Sequence, residues 1–334
     1  MPSIHRIAAA LLLAAAACDS PADPPLGDPT FRMAFGSCRD EDLPQPIWTA
    51  VRATAPDVWL WLGDNIYGDT QDQALLRQKY ALGKSHPEYT ALRAEATVIG
   101  TWDDHDYGRN NAGAEFPARA ASQQALLDFL DVPASSARRT RAGVYESYVM
   151  GTPGRQVKVI LLDTRYHRAL VGSNGTMLGE EQWAWLEAEL RGSRAQVTLI
   201  GSSTQVVSEE HTREKWANFP AERERLFRLI ADTGVRGVVF LSGDRHFAEI
   251  SRLDDNPAGY PLYDVTSSGM THSTLQAVPE PNRHRVGPGN VGVHNFTLLE
   301  IDWTARPVTL RFTVRDVENT VRMEHVIPLT ELQP

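Results

Sequence analysis

Cysteine is nearly missing from this chain: 334 residues contain two, Cys18 and Cys38. That excludes a disulfide framework and leaves each thiol to be explained separately. A basic surplus is missing as well. The net charge of −9 argues against nucleic acid, whose binding needs a basic face. Phosphate-bearing substrates stay open wherever metal ions supply local positive charge. The apolar run at 7–17 is too short to span a bilayer. No internal repeat occurs at a fixed period, and Gly201-Ser202-Ser203 lacks the Gly-x-Ser-x-Gly form of a serine-hydrolase nucleophile. What is present is a 42% hydrophobic composition, enough for a full core in one large or two ordinary domains.

The N-terminus has the form of a secretory signal: His5 and Arg6, then the apolar run. It ends in Ala15-Ala16-Ala17-Cys18, which resembles a bacterial lipobox. The resemblance implies that residues 1–17 are a lipoprotein signal and that Cys18 is lipidated. An ordinary signal cleaved nearby is the plainer alternative. Residues 18–30 then read as a Pro-rich, semi-rigid tether. Asp19, directly after the cysteine, is implied to favour inner-membrane retention in some bacteria. The expected location is the bacterial cell envelope, anchored by lipid, on its periplasmic or outer face.

The body, 31–334, is organised around Val58-Trp59-Leu60-Trp61-Leu62-Gly63-Asp64. An unbroken apolar run is how a strand buried on both faces reads. A carboxylate follows at once, and ligands of open α/β sheets sit at the carboxyl ends of strands. The same form recurs along the chain. Strands are expected at 31–37, 98–102, 157–162, 197–200 and 237–241. They end in Cys38, Asp104-His105, Asp163, Ser203, and Asp244 with His246. Asp244 and His246 flank Arg245, so an extended backbone would point both one way. Helices are expected at 43–53, 74–82, 122–130, from 178 on, and at 220–231. After residue 260 the periodicity turns to strands. The stretch Asp103-Asp104-His105-Asp106-Tyr107-Gly108-Arg109-Asn110-Asn111, launched from an apolar strand, suits a hard-metal site better than a solvated face. A mostly oxygen ligand set with one thiolate, one phenol and imidazoles does not suit structural zinc.

Gly36-Ser37-Cys38, Gly63-Asp64-Asn65-Ile66-Tyr67, Trp102-Asp103-Asp104-His105-Asp106 and Gly243-Asp244-Arg245-His246 resemble, in order, the motifs of PhoD-type alkaline phosphatases of the calcineurin-like metallophosphatase superfamily. The resemblance implies an α/β fold: a β-sandwich flanked by helices in α/β/β/α layers, with its site at the C-terminal ends of the strands. It implies hydrolysis of phosphate monoesters or diesters by metal-activated water at a two-metal site. Cys38, Asp64, Tyr67 and His246 would hold one metal, ferric iron in characterised members. Asp64 would bridge to a second, calcium, completed by Asp104, Asn110 and Asp244, with Asn111 a rival to Asn110. His105 would stand near the leaving group or the phosphate, and Arg165 and Arg245 would meet phosphate oxygens unless they are ion-paired instead. Metal binding can bring the pKa of water from about 15.7 toward about 7, which supplies a nucleophile at neutral pH. Two other readings compete: a lipid-anchored solute-binding protein without turnover, and an interaction surface on an inactive metallophosphatase. Passive binding of a small anion does not require the Cys38/Asp64/Tyr67/His246 set.

Overall fold

The computed structural model describes residues 30–334; the signal-like run, Cys18 and the tether up to residue 29 lie outside the described residues. Two mixed sheets pack face to face. The first has the order β13-β12-β11-β1-β2-β3, built from Val321–Pro328, Thr309–Asp316, Asn295–Asp302, Thr30–Gly36, Val58–Leu62 and Thr97–Thr101. The second has the order β10-β8-β9-β7-β6-β5-β4, built from Arg285–Val291, Ala248–Leu253, Leu262–Ser267, Val238–Ser242, Val197–Gly201, Val157–Leu161 and Glu146–Met150. Parallel pairing runs through β1-β2-β3 in one sheet and β5-β6-β7-β9 in the other. The described residues form seven α-helices: α1 Ile47–Ala53, α2 Gln73–Ser85, α3 Pro87–Glu95, α4 Asp104–Tyr107, α5 Arg119–Phe129, α6 Glu180–Arg191 and α7 Pro220–Thr233, of which α4 is a single turn at the end of β3 and the others flank the sheets. This is the layered sandwich expected from the motifs.

Strand β2 shows why the layers stack. Its side chains alternate between faces, as a strand's must. Val58, Leu60 and Leu62 enter the core between the sheets. Trp59 and Trp61 enter a second core beneath the helices. There Trp48 of α1 meets Trp59 at 4.9 Å, Trp61 at 5.4 Å and Tyr89 at 4.7 Å between ring centroids. The indole N–H of Trp48 donates to Gln45 at 2.7 Å, so its polar edge is satisfied in the dry interior.

Several elements differ from the sequence expectation, among them strand β8 and the one-turn helix α4, neither of which was expected. Helix α1 starts at Ile47 rather than 43, because Pro44 and Pro46 precede it and Pro46 takes the capping position. Helix α3, opened by Pro87, was not expected. Strand β10 holds Gly287-Pro288-Gly289 and is an edge strand, where such residues are tolerated. Strand β13 alternates buried and exposed residues only weakly and is the other sheet's edge.

Trp48→Ala should therefore cost about 3–5 kcal/mol of unfolding free energy, against about 0.5 kcal/mol or less for the exposed Leu82→Ala. Denaturant titration of the two variants checks it, and equal midpoints would contradict the role assigned to the tryptophan layer.

Candidate metal and phosphate site

The parallel strands of both sheets end on one side, and their loops meet there. Cys38 follows β1, Asp64 follows β2, Asp104 follows β3, and Asp244 and His246 follow β7. Two glycines permit the approach. At Gly63 φ is +99°, and a Cβ would stand 2.5 Å from that of Asp103. A Cβ on Gly243 would stand 2.5 Å from Ser37 Oγ, across the gap between the sheets. The loops are also tied together: Ser37 Oγ donates to the Ser267 carbonyl at 3.1 Å, and the His272 N–H to that of Cys38 at 3.1 Å.

The backbone at the site is unusual. Cys38, Asp64, Asp244 and His246 have φ of 58°, 48°, 68° and 60°. Left-handed conformations are costly for such residues and gather where function over-determines them. Asp244 and His246 reach the site through these turns. The extended alternation expected of them is absent.

The ligand atoms of Cys38, Asp64 and His246 lie within 4.8 Å of one another, as do those of Asp64, Asp104 and His105, and those of Asp103, Asp104 and Asp244. Cys38 Sγ is 3.3 Å from Asp64 Oδ2 and 3.0 Å from Ser268 Oγ. Tyr67 Oη is 3.2 Å from His246 Nε2. The Tyr67 ring lies between His105 and His272, at 4.3 and 4.9 Å. Asn110 and Asn111 both line the cavity above; the Asn111 N–H donates to Asp104 Oδ2 at 2.5 Å.

The electrostatics ask for cations. Burial and then the neighbouring charge of Asp64 push the Cys38 thiol well up. Burial, Asp104 and Asp103 do the same to the Asp64 carboxyl. Burial and Asp104 lift Asp244 to about 7. Burial works against the charge of Asp104 as well, but Arg165, His105 and backbone N–H groups outweigh it and hold that carboxyl below its ordinary value. Burial and the nearby cations lower His246 to about 4, leaving a neutral imidazole with a free lone pair. Asp103 Oδ2 and Asn65 Oδ1 are buried without a hydrogen-bond partner among the described residues. A thiol, a phenol, an imidazole and carboxyl groups that resist ionising together fit metal ions, which would hold them deprotonated.

Some expected residues stand elsewhere. Arg165 is fully enclosed. Its guanidinium meets Asp103 at 2.5 Å and Glu214 at 2.6 Å, so it is an ion-paired residue and not a phosphate contact facing the cavity. Arg245 does line the cavity, paired with Glu280. Asp163 accepts from Trp102, Val144, Arg165 and Tyr166, each at 2.9 Å, and is a structural hub. Ser203 is buried against Thr164. Sequence reading missed Asp69, whose carboxylate is 2.7 Å from His105 Nδ1. Burial alone would lower that imidazole, but Asp69 and Asp104 lift it to about 9. It also missed Glu214 and His272, which lie on loops with no motif around them; Asp69 had a signal, five residues after Asp64 in the same motif.

A two-sheet sandwich with this donor set at its strand ends has the fold of the metallophosphatases. A dimetal phosphatase from Danio rerio superposes with a TM-score of 0.57 at 14% identity, over 90% of this chain and 100% of that one. A solved structure of PhoD superposes with a TM-score of 0.70 at 19% identity, over 92% of this chain and 70% of that one. The sequence model of the PhoD-like phosphatase family matches residues 33–277, and the chain belongs to that family. Alkaline phosphatase D of Bacillus subtilis (strain 168) is 26% identical over 67% of this chain. The match spans 47% of that relative, about half its length.

Metal removal has a signed consequence. In the stripped protein, Asp64, Asp103 and Asp244 hold protons more tightly than in the unfolded chain. Their stabilising effect is fully present below the ordinary carboxylate range and is lost as pH rises above it, through about 7 in the case of Asp244. Asp104, shifted the other way, changes little above about pH 4. Stripped protein should thus lose stability between about pH 5 and 7. Asp244 accounts for no more than about 3 kcal/mol of that, because it is partly open to the cavity. Thermal melts across this range, with and without chelator, check it; the loaded protein should lack the fall.

Proposed function

We propose that this protein is a metal-dependent phosphatase that hydrolyses phosphate esters, monoesters or diesters, at a two-metal site. The observation that carries the reading is the convergence of Cys38 and Asp64, both buried, with His246, Asp104 and Asp244, which line one cavity. Cys38, Asp64, Tyr67 and His246 would hold a first ion, which the thiolate and phenolate suit to ferric iron. Asp64, Asp104, Asp244 and Asn110 (or its neighbour Asn111) would hold a second, whose oxygen donors suit calcium. When bound, such ions supply positive charge for the phosphoryl oxygens and lower the pKa of attacking water.

The chain's own groups supply the rest. Arg245, at the cavity wall, is placed to meet a phosphoryl oxygen, with Glu280 limiting its swing. Arg165 acts indirectly: it fixes Asp103 and, at 3.8 Å, steadies Asp104. His105, held through Nδ1 by Asp69 and lifted to about 9, keeps a proton at neutral pH. Water's oxygen bonds to phosphorus as the bond to the leaving oxygen breaks. His105 can give its proton to that oxygen, and the proton lost by water passes to solvent. The N-terminal run supports a further proposal, lipid attachment at Cys18 and residence at the cell envelope, tested by the mass of the membrane-extracted protein.

Elemental analysis of protein purified without chelator should find iron and calcium, and chromogenic esters should be turned over. Asp64→Asn should lower hydrolysis by about 100-fold or more while circular dichroism stays native; wild-type turnover by that variant would sink the site assignment. His105→Ala should slow an alkyl ester by about 10²–10⁴-fold and a nitrophenyl ester, whose leaving oxygen needs no proton, far less. Equal slowing of both would remove the proton-donor role.

A further inference from the structure

Among the described residues, the three most exposed large hydrophobic side chains are Leu275, Leu170 and Val171, at 67%, 63% and 52%. Single exposed hydrophobics are ordinary on a protein surface. These are not scattered. Leu170 and Val171 line the cavity of about 850 Å³ over the metal-binding groups. Leu275 sits on the other loop of that cavity, between its lining residues Thr274 and Val278.

Both loops are pinned, so the exposure is imposed. Ala169 donates to the Thr176 carbonyl at 2.9 Å, and Ser173 Oγ to that of Leu170 at 2.6 Å. The Thr274 N–H donates to the His246 carbonyl at 2.9 Å, and Asn290 holds Val278 through both its N–H and its carbonyl. Leu275 itself has φ of +63°, a conformation a branched side chain adopts only when its surroundings force it. The loop thus accepts strain and still presents a leucine to solvent beside the site. The cavity floor is polar, with Asp104, Asp244 and Arg245, whereas Phe247 and Val278 carry the apolar character of the rim inward.

From this we infer that the substrate is an amphiphilic phosphate ester. Its phosphoryl group sits on the floor, and an apolar substituent lies against Leu170, Val171 and Leu275, which act as specificity residues. The inference rests on the phosphatase reading above. It commits to a single substrate molecule as occupant and not to a membrane surface.

Calorimetric titration of metal-loaded protein with methylphosphonate and octylphosphonate, the latter below its micelle concentration, tests it without turnover. Wild-type protein should bind the octyl compound at least about tenfold more tightly. The double variant Leu170→Ser, Leu275→Ser should lose that preference and keep its methylphosphonate affinity. Equal binding by wild type, or a preference retained by the variant, overturns the inference. So does loss of co-sedimentation with phosphatidylglycerol vesicles while the alkyl preference survives, since the rim would then dock a membrane. Turnover of p-nitrophenyl methyl and octyl phosphates separates the two readings. Failure to cleave either ester removes the hydrolase reading, and the calorimetric preference stands or falls on its own.

Discussion

Asp64, Asp103, Asp104 and Asp244 are carried to one place by three strand-end loops, and their mutual repulsion is the constraint on which the rest of the site depends. Burial multiplies that repulsion, because charges in a low-dielectric interior are poorly screened. Arg165 neutralises Asp103 in part, but it also serves Glu214 and stands 3.8 Å from Asp104. Among the described residues no guanidinium forms an ion pair with Asp64. A site so loaded is stable with its full ionic charge only if cations are added. Folding and metal affinity are then two views of one free energy.

The same constraint explains why the loops are tied to one another. Carboxylates that repel would separate if their backbones were free to move. Gly243 lets the two sheets approach within contact distance, Gly63 lets the turns after β2 and β3 do the same within one sheet, and hydrogen bonds from Ser37 and His272 close the gap. Left-handed turns at Cys38, Asp64, Asp244 and His246 aim the donors inward. Each turn costs something that the buried strands β1, β2 and β7 must make good, and all but two residues of those three strands are buried in the sandwich.

Much of this was legible in the chain itself, for a physical reason. A strand buried on both faces carries few charged residues until it leaves the sheet, so the first carboxylate or thiol after an apolar run marks the strand's end. Val58–Leu62 and Val238–Ser242 announce Asp64 and Asp244 in this way. The same rule misleads at Asp163. That residue also follows a buried strand, yet its four hydrogen bonds fasten Trp102, Val144 and the next turn. Polarity at a strand end identifies a residue the fold needs and cannot tell a ligand from a fastener. Arg165 failed for a related reason: its partner Glu214 is 49 positions away, and only the fold brings them together. Edge strands such as β10 were missed because one half-exposed face leaves little periodicity to read.

Chemistry and selectivity occupy different structural elements. The floor of the cavity is made by residues of the connections that follow β3 and β7, held by the two cores and by one another. The rim is made by longer connections, between β5 and α6, β6 and α7, and β9 and β10, which contribute nothing to either sheet. Substitutions at Leu170 or Leu275 remove little that the core depends on, whereas Asp104 cannot change without altering Arg165, Asn111 and the charge balance of the whole site. A family built this way can keep one reaction and vary its substrate through loops alone. An exposed, strained leucine beside a polar floor is the mark such variation would leave.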